Sequence, residues 1–406
     1  MAEHDQTTTV ESTDTLEIPF EPLEMQLGPS HPATHGTVRM NLQMDGENVL
    51  KAEIEVGYLH RGFEKECESG LYYQAFPYTD RLNYVSPMIN NVGYALACEK
   101  LFDVEVPDRC KYLRVLASEA SRIADHLTCM GACALELGAF TAFLYAVEAR
   151  ESAWDILDAM CGARVTCNYV RIGGVSNDVG PEFPALVEEK LQDVARLLKD
   201  FEDLLLANPI FRDRMEGTGV LPKEDLVAFG VTGPLLRAAG VPLDLRRVSP
   251  YLVYDRLDFD VPVGESGDNM DRFLVRCEEI RQSARLVRQC LDQLPKGPVD
   301  LDDPRVRLPS KGEVFGGMEQ LIAQFKLVTE GPRPPVGEVY HAVEGGNGEL
   351  GFYLVSDGSG KPYKCRARSP SFSNTQAMSP MVEGGMLADV IPTFDMINMI
   401  GGECDR

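Results

Sequence analysis

Residues 113 to 137 carry apolar or small side chains at 113, 116, 120, 123, 127, 130, 134 and 137, an alternation of threes and fours. Side chains at that spacing line one face of an α-helix, and such a face has to be buried against another element. Three further segments carry the same kind of stripe. Residues 139 to 161 offer Phe140, Phe143, Leu144, Val147, Trp154 and Leu157, and residues 184 to 206 offer Leu186, Leu191, Val194, Leu197, Leu198 and Leu204. A fourth helix, capped by Ser266, carries Met270, Phe273, Cys277, Ile280, Ala284, Val287 and Leu291. Four long stripes predict a helical-bundle core.

Strands are predicted around this core. Between residues 36 and 58, Val38, Met40, Leu42 and Met44 share one face, Asp45-Gly46-Glu47-Asn48 turns the chain, and Ala52, Ile54 and Val56 continue on the next strand. Val339 to Val355 holds two more short strands around Glu344-Gly345-Gly346-Asn347-Gly348, residues 295 to 312 read as a connection, and the last fifty residues read as loop. The fold class is α+β: a helical bundle with a small antiparallel sheet at one end and long ordered loops. Residues 1 to 20, rich in Thr and acids, read as a disordered tail. Residues 21 to 80 form the small sheet and a histidine-bearing loop, 81 to 300 the bundle, and 301 to 406 strands and loops that pack back onto it as one compact unit.

A net charge of −24 argues against general nucleic-acid binding, because phosphates are repelled. The first 38 residues hold no Lys or Arg, so the basic region of a secretory signal is missing. The apolar stretch 386 to 400 is interrupted by Asp389, Pro392 and Asp395, and no run is long enough to span a bilayer. The eleven cysteines are odd in number and none are spaced Cys-x-x-Cys, which points to free thiols in a reducing compartment. Cys129 and Cys133, one helical turn apart, read as packed thiols.

Gly28-Pro29-Ser30-His31-Pro32-Ala33-Thr34-His35-Gly36 places two of the six histidines in one turn-rich loop. Imidazole titrates near neutrality, so His31 and His35 are candidates for a proton donor or a metal site; two solvated imidazoles are the alternative. Gly57-Tyr58-Leu59-His60-Arg61-Gly62-Phe63-Glu64-Lys65 mixes charged and aromatic residues at a strand end, a place for functional groups or a plain connection. Thr79-Asp80-Arg81-Leu82-Asn83-Tyr84 reads as the opening of the next helix, with Tyr84 on the face of Asp80. Arg122 and His126 stand one turn apart, and Glu136 ends the apolar helix as either an exposed end group or a buried acid with a partner. The pairs Gly316-Gly317, Gly345-Gly346 and Gly384-Gly385 match neither a dinucleotide fingerprint nor a phosphate loop.

Taken in order, the blocks 28–36, 57–65 and 79–84 closely resemble the quinone-site (D-type, 49-kilodalton) subunit family of respiratory complex I. Leu137-Gly138-Ala139, Gly162-Ala163-Arg164, Tyr169-Val170-Arg171, Gly173-Gly174-Val175, Asp271-Arg272-Phe273-Leu274, Gly351-Phe352-Tyr353, Ser369-Pro370-Ser371-Phe372 and Gly402-Glu403-Cys404-Asp405-Arg406 extend the resemblance from about residue 22 to 406.

The resemblance implies a fold like the large subunit of nickel–iron hydrogenases and a role in proton-translocating NADH:quinone oxidoreductase. The family's quinone headgroup, of ubiquinone or menaquinone, lies between the residues matched by His35 and Tyr84. A carboxylate stands behind the histidine, and the matching residue is Glu136, one methylene longer than the usual Asp. Arg61 matches an arginine close to the terminal [4Fe-4S] cluster, and Thr166 stands where some members have a histidine near that cluster. The cluster belongs to the B-type iron–sulfur partner, so no cofactor is expected on this chain alone. The other expected partners are the C-type 30-kilodalton-like, I-type ferredoxin-like and H-type membrane subunits. The implied place is peripheral, on the cytoplasmic side of a bacterial cell membrane. A hydrogenase needs two Cys-x-x-Cys pairs; Cys67 and Cys404 stand near the equivalent ends but singly, which excludes that activity. A non-catalytic scaffold of the peripheral arm, derived from a hydrogenase large subunit, is the alternative reading. Another is a hydrogenase relative that has lost its metals and serves proton-pump coupling.

Overall fold

The stripe of residues 113–137 is the inner face of the longest helix in the computed structural model, which describes residues 21–406. The expectation for residues 1 to 20 lies outside them. Five helices make the bundle: α1 (Pro87–Phe102), α2 (Asp108–Glu136), α3 (Phe140–Cys161), α4 (Phe183–Leu206) and α5 (Asn269–Asp292). Helix α2 has 29 residues, about 43 Å at 1.5 Å per residue, and packs against α1, α3 and α5. Asp108 in its first turn complements the positive helix end. Its other end is a Schellman closure: Gly138 adopts φ +82°, its N–H reaches the carbonyl of Leu135, and the Ala139 N–H reaches that of Ala134 at 2.8 Å.

Two expected helix details differ. On α3 the bulky Phe140 and Leu144 are exposed, and the buried face is Ala142, Ala146, Ala149, Ala153, Ile156 and Leu157. Small residues let α3 approach α2 closely; a Cβ on Gly131 would lie 3.0 Å from that of Ala146. Helix α5 is capped by Asp268, whose carboxylate accepts the Asp271 N–H at 2.8 Å, so Ser266 is not the cap.

The α+β class holds; among the described residues there are two three-stranded antiparallel sheets in place of one, and a short two-stranded pair, Val170–Arg171 with Gly174–Val175. The first is β1 (Leu23–Leu27), β2 (Arg39–Asp45) and β3 (Asn48–Glu55), in that order, with Met40 opposite Ile54. The second is β4 (Gly337–Gly345), β5 (Gly348–Ser356) and β6 (Lys364–Arg368). It rests on α1, where a Cβ on Gly93 would meet Val343 at 3.0 Å.

The last fifty residues, expected as loop, hold strand β6 and then four helices. Pro370–Gln376, Met378–Val382, α6 (Leu387–Ile397) and Gly401–Asp405 are all helices. The longest has 11 residues, too short for a 3.6-residue period to stand out. Pro392 inside α6 leaves the Ala388 carbonyl without its helical donor, and Arg214 donates to it instead. These helices and the first sheet share a hydrophobic cluster with Leu221–Val241, apart from the bundle core.

The bundle also encloses charge. Arg122, Arg237, Arg246 and Arg276 are fully buried around Glu119, Asp244, Glu279 and Glu344. Arg122 donates to the carbonyls of Glu344 (2.7 Å) and Gly345 (2.8 Å), pinning the β4–β5 turn. His126 sits in this network with Nε2 2.7 Å from Glu279 and Nδ1 3.1 Å from Arg276. An arginine can only donate, so Nδ1 accepts and Nε2–H donates to the carboxylate. Burial holds this imidazole below its usual pKa, in keeping with that neutral form.

Candidate functional site

The loop 28–36 is fixed by its own polar groups. His31 caps a short 3-10 turn, Pro32–Thr34, through Nδ1, which accepts the Ala33 N–H at 3.2 Å. The Thr34 hydroxyl bonds the carbonyls of Pro29 and His31, both at 3.1 Å. Gly28 needs its positive φ and missing Cβ, because that atom would lie 2.2 Å from the Val38 carbonyl oxygen. The turn leaves His35 at φ +53°, exposed, with no hydrogen bond to its ring among the described residues. The two loop histidines thus separate: His31 holds the turn and His35 is presented.

Tyr84 reaches the same place from another direction. Residues 80–86 form turns between the short helix Phe76–Thr79 and α1, so Thr79–Tyr84 does not open a helix as its spacing suggested. Asp125 on α2 holds this turn, accepting from Asn83 (2.8 Å) and Ser86 (2.7 Å). Its other oxygen takes Asn398 at 2.9 Å, which ties in the C-terminal segment. A Cβ on Gly346 would collide with Asp125 Oδ2 at 2.1 Å, so this junction requires glycine.

His35 and Tyr84 line one cavity of about 210 Å³. Helix α2 contributes Thr128, Cys129 and Ala132, and the C-terminal segment contributes Phe394, Asp395, Asn398, Met399 and Ile400. Burial, with Asp125 nearby, pushes the Tyr84 phenol above its usual pKa, so it keeps its proton at neutral pH. The wall is otherwise mostly apolar, and with an imidazole and a phenol as hydrogen-bond donors it suits a flat ring bearing carbonyl oxygens.

Glu136 is not part of that wall. It is exposed at the last position of α2, one turn beyond Ala132 on the same face, and no hydrogen bond or ion pair among the described residues joins it to His35. The Schellman closure at Gly138 ends the helix there and leaves the carboxylate beyond the cavity. The acid that lines the cavity is Asp395, which in the sequence stands out only as an interruption of an apolar run.

Arg61 ties neighbouring segments together. Its guanidinium donates to the carbonyls of Arg81 (2.9 Å) and Gly402 (3.1 Å). The Asp405 carboxylate receives the N–H groups of Gly57 (2.9 Å) and Leu59 (2.7 Å), and His60 Nδ1 donates to the Asp405 carbonyl at 2.7 Å. Thr166, at φ +57°, lines a second cavity with Asp80 and Arg171. Burial pushes the Asp80 carboxyl up to about 6 there. All eleven cysteines are free thiols, with Cys129 and Cys133 buried as expected. Among the described residues no three His, Cys, Asp or Glu side chains group as a metal site.

Residues 136–406 match the family model described as "Respiratory-chain NADH dehydrogenase, 49 Kd subunit". The chain belongs to that family. It is 55% identical over 392 residues to a D-type subunit of the NADH-quinone oxidoreductase of Sorangium cellulosum, covering 96% of this chain and 97% of that one. The D-type subunit of Myxococcus xanthus is 52% identical, over 94% of this chain and 92% of its own. The one from Leptospira biflexa is 46% identical, over 96% of both. As a member of the 49 kDa family the chain is a subunit of the NADH:quinone oxidoreductase complex, respiratory complex I, with other subunits of that complex as its partners. No helix among the described residues is long and apolar enough to cross a membrane.

Proposed function

We propose that the cavity between His35 and Tyr84 receives the quinone headgroup, with the B-type iron–sulfur subunit completing the site. What carries this reading is the convergence of an imidazole and a phenol, neither hydrogen-bonded through its side chain among the described residues, from separate loops onto one mostly apolar cavity. Its volume of about 210 Å³ lies below the roughly 300–1,000 Å³ of sites for drug-sized ligands and suits a single ring. Reduction of a quinone to a quinol takes two electrons and two protons. Imidazole and phenol each donate a hydrogen bond to a carbonyl oxygen and can follow it with a proton. Electrons arrive from the [4Fe-4S] cluster of the B-type partner; this chain supplies the binding groups and protons and holds no cofactor itself. Arg61 stands on the side of the cluster, and Glu136 adds negative charge just beyond the cavity. The C-type, I-type and H-type subunits complete the surroundings, in a peripheral arm on the cytoplasmic side of the membrane.

Tyr84→Phe tests the reading with little change of shape. In the assembled complex it is expected to raise the quinone KM or lower turnover by about two- to tenfold, the worth of one neutral hydrogen bond. NADH oxidation by an artificial acceptor should be unchanged. Wild-type quinone kinetics in this variant would remove the phenol from the site.

A further inference from the structure

Asp395 is the one carboxyl group among the described residues that line the cavity. It lies in the last turn of α6 and is only 6% exposed. Its main-chain carbonyl is engaged by the Cys129 thiol (3.3 Å) and the Asn398 N–H (2.9 Å). Its side chain is not: Oδ2 is buried with no partner, and no lysine, arginine or histidine makes an ion pair with it among the described residues. This sets it apart within the molecule. The buried carboxyls of Glu99, Glu119, Asp125, Asp244, Glu279 and Glu403 each have donors. A buried carboxylate left without donor or cation is too costly to persist as an anion, so the group is held as the neutral acid.

Its surroundings act in the same direction. Burial is the largest cause of its raised pKa, and the negative charge of Glu136 adds to it. The carboxyl also sits at the negative end of α6, where an anion is disfavoured. From α2, Cys129 and Cys133 face it as neutral thiols, the first pushed up to about 12. From α5, Arg276 is engaged by His126 and the Met396 carbonyl. His35 and Tyr84 complete the titratable groups of the cavity. A neutral carboxylic acid carries an O–H that needs an acceptor, and no protein acceptor is present for it. An acceptor oxygen on an occupant of the cavity would satisfy it.

We infer that Asp395 is a further proton donor of this cavity, delivering its proton to a carbonyl-derived oxygen of the reduced quinone. This rests on the quinone reading above. In the step, the Asp395 O–H bond breaks and an O–H bond forms on one quinol oxygen, supplying one of the two protons; His35 supplies the other, and Tyr84 then acts as a hydrogen-bond donor that keeps its own proton. The two electrons are those of the NADH:quinone reaction, and the carboxylate left behind regains a proton from water at the end of the cavity near Glu136. Asp395 then accompanies His35 and Tyr84 as a group that touches the substrate.

The test measures quinone reductase activity of the assembled complex against pH, with Asp395→Asn, Asp395→Glu and Tyr84→Phe beside the wild type. Assembly is judged by NADH oxidation with an artificial acceptor. Asp395→Asn is expected to lower turnover about tenfold or more with little change in quinone KM. A donor that must be protonated gives a rate that falls as pH rises through its pKa, so this alkaline decline should disappear in Asp395→Asn and persist in Asp395→Glu. Wild-type turnover and an unchanged pH profile in Asp395→Asn would overturn the inference. If only Tyr84→Phe is impaired, the Asp395 inference falls and the quinone reading stands; if neither is impaired, both fall. Should Asp395→Asn not assemble, infrared difference spectra of the wild-type complex decide: a protonated-carboxyl band lost on quinone reduction supports the role, and its absence refutes it.

Discussion

His35→Ala is expected to lower quinone turnover about 100-fold or more in an assembled complex that still oxidises NADH with an artificial acceptor. The imidazole lines the cavity with no hydrogen bond to its ring among the described residues, so it is free to donate to an occupant, and an alanine there supplies neither a hydrogen bond nor a proton. The loop should survive the change, because its internal hydrogen bonds come from His31, Thr34 and main-chain atoms and not from the His35 ring. One complication is conformational. His35 occupies φ +53°, a region that Ala tolerates less well than His or Asn. His35→Asn therefore serves as the control: it accepts the left-handed backbone but cannot supply the proton. Both variants should lose turnover, whereas near-normal turnover in either would remove the imidazole from the chemistry.

Glu119→Ala is expected to destabilise the protein by about 3–5 kcal/mol, the range for removing one partner from a buried charge network. Glu119 accepts from Arg246 (3.1 Å), Tyr254 (2.6 Å) and Ser283 (2.7 Å), with Arg122 3.3 Å away. Its loss leaves two buried guanidinium groups short of counter-charge. Glu119→Gln keeps part of the hydrogen bonding and should cost less. The yield of assembled complex and its half-life on warming measure the difference, and a wild-type half-life in Glu119→Ala would refute the prediction. The same network sets an acid limit. Burial pushes the Glu119 carboxyl up, but Arg122 and Arg246 outweigh it and hold it below the usual range. Asp244, beside Arg246 and Arg237, is held down to about 2 against the same penalty. Carboxyls with lowered folded-state pKa values stabilise above their unfolded value of about 4, and that contribution is lost as pH falls toward 2. Loss of structure should therefore steepen over that interval, and weaken in Glu119→Gln.

The long helices were legible in the sequence because a period persists over six or more turns and solvent rejects any other face. The faces themselves were less so. On α3 the large residues Phe140 and Leu144 look like a core but are exposed, while alanines make the contact, because close helix approach rewards small volume over hydrophobicity. The short C-terminal helices went unread for want of length, and with them the wall of the cavity that Asp395 occupies. His35 and Tyr84 were found by chemical type and by resemblance, yet nothing local marks 35 and 84 as neighbours. Their meeting depends on Asp125, which joins the Tyr84 turn to Asn398 from the middle of α2. The placement of Glu136 hinged on where a helix stops, and one glycine at 138 decides that.

The clasp of Asp405 and Gly402 on residues 57–61 joins positions 341 to 348 apart in the chain. A ribosome makes the first of these long before the second. Until those downstream residues emerge, the loop that carries His60 and Arg61 lacks this anchor, and the wall formed by residues 394–401 does not yet exist. The cavity thus forms only after residues 394–401 have emerged, later than every helix of the bundle. A chain stalled before residue 394 would hold every bundle helix and no working pocket, so quality control that inspects the bundle alone would pass it.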